Sequence, residues 1–460
     1  MFGRRCDHPH ILCPEHGARR AIAALGFLIV PLWNTEASAS GFALREYSFS
    51  AASTAFAGAS AQSDSPAFLS YNAATGSGVS DFDAQFTLNA IYPTSEAFYS
   101  LATTAVGTPT GGDTTPDEFI LDAYEPGISL RKRIDDHWTA GFALTVPWGL
   151  GSRYQDTWAG RYYATETRLA TVNANPSLAY AFGEHLSVAA GIQVQYAQGL
   201  LANAIDFGTI AQLQGILGAL PGAQDGLVEF KATDWAFGYN LGLLWHPVND
   251  LSIGLSYRSS IQHELQGDVD FILQQGSVGD QIATATGAFT DTRGRTRLDL
   301  PSVTSLGLNW KVTPELSLLG EVSYTEWSAF SELRVKFANP LQPDSYQTYA
   351  WKDTWLLSGG IRFDVAPGWR LRAGVAVDQT PSLDATRDPR IPDATRTWVA
   401  LGVTHDLTPD TSVEVGYAHL SFPEEPISLS ASTPGNEIRG NLSAMSDADV
   451  SMISVQITMR

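Results

Sequence analysis

The chain has 460 residues, two cysteines and a formal net charge of −20, from 28 Lys and Arg against 48 Asp and Glu. That acidity argues against a nucleic-acid partner, because phosphate binding needs a basic face. No stretch reaches the roughly 18 consecutive apolar residues of a membrane-spanning helix, which excludes a helical membrane protein.

The N-terminus reads as a secretory signal peptide over residues 1–39. Arg4, Arg5, Arg19 and Arg20 precede an apolar run from Ala21 to Leu32, and Ala37-Ser38-Ala39 forms a small-x-small cleavage box. Cys6 and Cys13 both lie before that box, so the mature chain is expected to have no cysteine. A disulfide scaffold, a thiol nucleophile and a cysteine metal site are thereby excluded, and neither metal nor cofactor is expected.

Residues 40–81 are rich in Ala, Ser and Gly and lack strand alternation. Phe42, Leu44, Phe49, Phe56 and Phe68 set this segment apart from a disordered tail, which is poor in aromatics. It is expected to fold as a hatch inside a lumen enclosed by the rest of the chain.

From Phe82 onward the pattern has period two. Leu186, Val188, Ala190, Ile192, Val194 and Tyr196 share one face, with Ser187, Gly191, Gln193 and Gln195 on the other. Similar runs occur at 251–257, 316–324 and 369–377. Six short turns, at 134–137, 182–185, 247–250, 312–315, 365–368 and 407–410, carry Gly, Pro, Asn or Asp. Longer polar connections lie between them, at roughly 93–121, 150–166, 201–231, 265–295, 338–350, 380–394 and 424–447. Strictly alternating short and long connections define fourteen strands. The fold class is all-β, a 14-stranded antiparallel transmembrane barrel over 82–460 with both strand ends on the periplasmic side.

Aromatic placement points to lipid around this barrel. Trp138, Trp245, Trp310 and Trp369 lie near short turns, and Tyr257, Tyr324, Trp327, Trp351 and Trp355 lie toward the long loops. Two aromatic belts are the mark of two membrane interfaces.

Third-strand alternation through Trp138, Ala140, Phe142 and Leu144 stops at Pro147. Proline cannot donate to the ladder and the next residues include Gly149 and Gly151, so Pro147-Trp148-Gly149 is expected to break pairing with a neighbouring strand. In loop 201–231, Ile210, Leu213, Ile216, Leu217 and Leu220 recur at helical spacing, with Pro221-Gly222 as the stop.

The sequence resembles the outer-membrane long-chain fatty acid and hydrocarbon transporters of the FadL type. The likeness lies in Gly41-Phe42, Ala55-Phe56-Ala57-Gly58, Pro147-Trp148-Gly149-Leu150-Gly151, Asn175-Pro176-Ser177-Leu178-Ala179-Tyr180, Trp327-Ser328-Ala329-Phe330 and Arg390-Ile391-Pro392-Asp393, in that order. The resemblance implies a passive transporter in the outer membrane of a Gram-negative bacterium. It implies a monomeric barrel with an N-terminal hatch and a kinked third strand opening the wall sideways as a lateral gate. Ligand would be caught in a groove between two extracellular loops, with Trp158, Ile210, Leu213 and Leu217 facing it. It would then pass to a pocket above the hatch, beside Phe42 and Leu44.

Two departures from the family stand out. Its hatch motif Asn-Pro-Ala is Asn72-Ala73-Ala74 here, and a basic residue at the outer end of the fifth strand is Gln198. Without that cation a neutral hydrocarbon is favoured over a fatty acid, unless Arg334 or Lys336 reaches the pocket. The expected partners are a hydrophobic small molecule and the lipid and lipopolysaccharide of the outer membrane.

A hydrophilic porin is the alternative, with an outer-membrane lipase less favoured. His137, His185, His246 and His405 all fall at short turns and no Gly-x-Ser-x-Gly elbow occurs, so no catalytic residue is assigned.

Overall fold

The structure, a computed structural model, describes residues 41–76, 81–116 and 118–460. The signal-peptide expectation falls on residues outside these.

Fourteen antiparallel strands follow one another around a ring. In order they are Phe82–Thr103, Ala123–Arg133, a third in two pieces (Trp138–Thr145 and Gly149–Arg153), Glu166–Phe182, Leu186–Asp206 and Asp225–Val248. The seventh (Leu251–Arg258 and Ile261–Ile272) and the eighth (Thr292–Leu300 and Val303–Lys311) each carry one break. Leu316–Thr325 continues after a bend as Glu332–Phe337. Then come Thr354–Ala366, Trp369–Asp378, Arg396–Thr408, a thirteenth in two pieces (Thr411–Ser421 and Glu425–Leu429), and Asn441–Met459. The first strand pairs with the last from Ala84↔Met459 to Thr103↔Asn441, which closes the barrel.

The strand count and alternation match the reading of the sequence. The long connections do not keep their expected extents. Strands 5, 6 and 14 run for 21, 24 and 19 residues. A bilayer needs about 9–11, so much of the length expected as loop is strand projecting beyond the membrane.

The ring is polar inside and apolar outside. Gln193, Gln195, Asn240, Glu321, Arg372, Glu414 and Gln456 are buried on the inner face. Trp235, Phe237, Leu241, Val399, Leu401, Ile453 and Val455 are exposed on the outer one. Among the described residues no helix is long and apolar enough to cross a membrane, and the crossing is made by strands.

Residues 41–76 lie within the ring and are almost wholly buried. Gln456 accepts from the Phe49 amide at 3.0 Å, and Glu321 accepts from the Ser60 amide at 3.1 Å. Asn72 donates to the Leu243 carbonyl at 3.0 Å. Arg131 donates to the carbonyls of Ser63 and Thr75, each at 3.0 Å, while Arg362 and Arg372 pair with Asp64 at 3.1 and 3.2 Å. These anchors come from strands 2, 6, 9, 10, 11 and 14, so the segment spans the lumen.

Glycines on the inner wall make room for it. A Cβ on Gly374 would collide with the Thr54 carbonyl, and one on Gly254 with that of Ser60. Gly374→Val is therefore expected to loosen the segment at a cost of about 1–3 kcal/mol. Single-channel conductance in planar bilayers should rise above that of the unmodified barrel. Unchanged conductance would mean that the segment does not obstruct the lumen.

Candidate functional site

Above the internal segment, inward side chains turn from polar to apolar. Phe42 stands at this boundary. Its ring lies 4.9 Å from Trp327, 5.3 Å from Phe330, 5.6 Å from Trp351 and 6.0 Å from Trp148, centroid to centroid. Edge-to-face and tilted contacts of this kind stabilise the cluster beyond area burial alone. Gly41 holds φ +62°, and a Cβ there would meet the Trp351 ring at 2.7 Å, so the chain enters the seal through a glycine.

Trp327 and Trp351 were expected in the outer aromatic belt. They are buried in this seal instead, Trp327 in the short turn after Leu316–Thr325 and Trp351 just before Thr354–Ala366, and both turn inward. Trp138, Trp245, Trp310, Trp355 and Trp369 do face outward.

Over the seal sit two apolar chambers of about 50 Å³ each, sharing Leu201, Phe230 and Leu333. The lower is closed by Phe42, Leu150, Phe330 and Ile391. The upper runs past Val269, Val335 and Phe337 to Tyr346, Gln347, Arg390 and Arg439. Ligand pockets are roughly 300–1,000 Å³, so the site is collapsed and loading requires the seal or the walls to move.

Two guanidiniums stand at the mouth. Arg390 donates to Asn203 Oδ1 at 2.8 Å and to Thr167 Oγ1 and the Ala202 carbonyl at 3.3 Å. Arg439 donates to Gln347 Oε1 at 2.7 Å and to Ser345 Oγ at 3.1 Å. Neither has a carboxylate within ion-pair distance among the described residues. Asp388 is close by, but its Oδ1 accepts the Arg390 backbone amide at 2.7 Å. Burial disfavours the Arg390 charge and lowers its pKa, with Asp388 opposing. The Tyr349 hydroxyl, buried nearby, has no hydrogen-bond partner among the described residues.

The wall beside the seal is open. Strands 2 and 3 pair from Arg133↔Thr139 to Ile128↔Leu144 and meet again at the isolated bridge Ile120↔Ser152. Both ends keep one register, so Pro147 lies opposite Glu125 across an unpaired stretch. There the third strand bends inward and pairs with the internal segment. Leu44 donates its amide to the Pro147 carbonyl and Gly149 to that of Phe42, each at 3.0 Å, and Ala43 bridges Trp148. Of the seven residues between these pairings on each strand, Leu121 still donates to the Gly151 carbonyl at 3.2 Å, and the remaining six, at about 3.3 Å each, give a window roughly 20 Å long. Pro126 and Pro147, one on either side, supply no amide for closing it.

Several sequence-predicted positions lie elsewhere. Gln198 is exposed on the outer face, one position out of phase with the inward Ala197. Arg334 and Lys336 also point outward, since Leu333, Val335 and Phe337 take the inward positions between them. Trp158 is buried in a separate cluster, stacked on Tyr154 at 4.1 Å.

The loop helix covers only Phe207–Leu213 and stops well before Pro221. Ile210 packs with Phe207 and Ile282, whereas Leu213 and Leu217 are exposed. Trp158 and Ile210 lie in different buried clusters among the described residues, and Leu213 and Leu217 belong to neither. Asn72, Ala73 and Ala74 form the base of the internal segment, where Asn72 Oδ1 accepts the Ala74 amide at 3.0 Å.

Asp393 ties the seal to the loop above it. It is buried, accepts the Thr380 hydroxyl, and faces the Gly41 amide. Burial pushes its carboxyl up to about 7 against the pull of Arg396, and Asp378 adds to the rise. Arg387 reaches only its backbone carbonyl, at 3.1 Å. A carboxyl raised in the folded state stabilises most below its unfolded pKa of about 4, and that contribution is lost as pH rises through 7. Resistance of the barrel to heat unfolding on gels is expected to fall between pH 5 and pH 8. Asp393→Asn, which keeps the acceptor without the charge, is expected to flatten the profile, and an unaltered slope would refute the assignment.

A strand-crossed, apolar-banded barrel, its polar lumen occupied by its own N-terminal segment, defines an outer-membrane transport barrel. The family of outer membrane protein transport proteins (OMPP1/FadL/TodX) matches residues 30–460, and the chain belongs to that family. It is 28% identical to the long-chain fatty acid transport protein of Salmonella typhi over 401 residues, covering 85% of this chain and 89% of the relative. It is also 28% identical to outer membrane protein P1 of Haemophilus influenzae, over 84% and 86% of the two chains. A FadL homologue from Pseudomonas aeruginosa superposes with a TM-score of 0.82 at 24% identity, over 91% of this chain and 99% of that one. The toluene transporter TodX of Pseudomonas putida gives 0.66 at 16% identity, over 91% and 99%. The chain is an outer-membrane protein of a Gram-negative bacterium and a transporter of hydrophobic molecules.

Proposed function

We propose that this protein carries long-chain amphiphiles with a single anionic head, of the fatty-acid type, and performs no catalysis. The observation that carries this reading is buried Arg390 with half-buried Arg439 at the mouth of an apolar cavity: two cations that share one nearby carboxylate, Asp388, and have none in ion-pair contact among the described residues. Buried charge needs a counter-charge, and a ligand carboxylate supplies one, with the Tyr349 hydroxyl free to donate beside it. The alkyl chain then lies between Phe230 and Leu333 above Phe42. Several relatives are named for long-chain fatty acid transport, which favours the same ligand. The neutral-hydrocarbon expectation rested on Gln198, which faces away from the cavity.

Exposed Leu213, Ile216, Leu217 and Leu220 offer the ligand a first apolar contact. The tail displaces Phe42, and the window beside Pro147 is the exit. Residues 40–81 act as a hatch that closes the periplasmic route. The protein acts as a monomer.

Native mass spectrometry of the barrel extracted in mild detergent tests the ligand class. Long-chain carboxylates carried through purification are expected. Neutral hydrocarbons alone would overturn the anionic-head reading.

A further inference from the structure

The membrane-facing wall carries a second amphipathic site, far round the ring from the window. Gly320 and Gly359 are cross-strand partners on strands 9 and 10. Their neighbours Leu308, Val322, Leu357 and Val375 are exposed on the same outer face. A Cβ on Gly359 would meet nothing within 4 Å, and one on Gly320 only Leu308 at 3.9 Å. The paired glycines thus floor an apolar trough of about 730 Å³ in the lipid-facing surface. A flexible hydrocarbon chain lying in such a depression gains contacts that a smooth wall does not offer.

Directly above it, on strands 8 and 9, the outward residues become ionic. Beyond Leu306 and Thr304, past the break at Pro301, come Asp299, Arg297 and Arg295; beyond Tyr324 come Glu332, Arg334 and Lys336. These side chains, with Glu264, line a polar cavity of about 690 Å³. Arg295 pairs with Glu264 at 3.1 Å, Arg297 with Asp299 at 2.7 Å and Arg334 with Glu332 at 2.7 Å. Exposed pairs of this kind hold weakly and exchange readily for a stronger anion. Lys336 has no carboxylate within ion-pair distance among the described residues. Arg334 also reaches Asp344 at 3.7 Å, so four cations here face four carboxylates, and a phosphate is held by exchange with these exposed pairs and by Lys336 rather than by excess positive charge.

The spacing limits what fits. Leu306 and Arg297 are nine residues apart, roughly 30 Å along the strand at about 3.3 Å per residue. Tilt of about 35–45° shortens that along the membrane normal. The cations therefore stand about one acyl-chain length above the floor of the trough, the level at which the phosphates of an outer-leaflet glycolipid lie.

We propose that this face binds a phosphorylated, multiply acylated glycolipid of the outer leaflet, one acyl chain in the Gly320–Gly359 trough and its phosphate among Arg295, Arg297, Arg334 and Lys336. Native mass spectrometry of the full barrel titrated with hexa-acylated, bis-phosphorylated lipid A tests it. One bound lipid is expected. Gly320→Leu with Gly359→Leu should lower its occupancy at least tenfold, and Gly359→Ala alone by a smaller factor. Arg297→Glu, Arg334→Glu and Lys336→Glu together should match the loss seen with enzymatically dephosphorylated lipid A. Heat-modifiable migration on gels reports that each variant is folded. Equal occupancy in the trough and charge variants, or equal binding of the dephosphorylated lipid, would overturn the proposal. So would a trough variant that alters only the number of barrel copies per particle, because the face would then join subunits.

Discussion

Stapling the wall of the barrel between strands 2 and 3 is expected to lower long-chain fatty acid uptake by more than a hundredfold. Glu125 and Pro147 face one another across the unpaired stretch, because pairing on either side of it keeps one register. Cysteines at these two positions fall within disulfide reach, Cα atoms about 4.4–6.8 Å apart, only when the third strand lies flat against the second. Both native cysteines precede residue 40, in the stretch expected to be removed as a signal peptide, so no other thiol is expected to compete. Oxidation of Glu125→Cys/Pro147→Cys should therefore trap a closed wall, and reductant should restore uptake.

The size of the effect follows from the alternatives open to the ligand. Burying a methylene is worth about 0.8 kcal/mol, so a sixteen-carbon chain would lose on the order of 10 kcal/mol on entering a watery passage. Beside Pro147 and Trp148 the lumen below the seal is of mixed character, with Leu44, Phe56 and Val303 facing Glu321, Arg258, Ser256 and Ser323, and the polar inner wall beyond it offers the chain little in return. On the proposed route, exit through the window beside Pro147 spares the chain that passage. Undiminished uptake with the disulfide formed would place the exit elsewhere.

How far the sequence alone carries this architecture depends on periodicity. Alternation from Leu186 to Tyr196 and the short turns suffice for strands, count and closure, because each inward residue meets a polar lumen and each outward one meets lipid. The same alternation already places Gln198 outward, in phase with Tyr196, and a family position carried across without its parity misleads. Arg334 and Lys336 fail for the same reason.

The seal is harder to read. Trp327 and Trp351 occupy the belt level of the chain but lie in short irregular stretches, where period two no longer fixes direction. Arg390 stands in a motif noted from the resemblance, yet its role depends on Asn203 and Thr167, more than 180 residues away. Arg439 lies in a polar loop with no local signal. Such sites are assembled by loops folding over the barrel mouth, and neither spacing nor propensity records that.

Removing the two arginines should separate ligands by charge. Arg390→Ala with Arg439→Ala is expected to weaken binding of hexadecanoate to the purified barrel by about ten- to a hundredfold, since a hydrogen bond to a charged group is worth about 1.5–3 kcal/mol. Hexadecanol, with the same chain and no charge, should lose less than threefold. Because a pair of fixed cations recognises the ionised acid, the unmodified barrel should bind hexadecanoate more tightly at pH 8 than at pH 5. The double variant should reverse that order, because a carboxylate left in the cavity without a cation is penalised and only the protonated acid enters cheaply. Arg334→Ala and Lys336→Ala, whose side chains point away from the cavity, should leave both affinities unchanged. Equal losses for acid and alcohol in the double variant would show that the arginines only brace the loops. A wild-type preference for pH 5 would return the site to neutral hydrocarbons, and the guanidiniums would then be held for Asp388 alone.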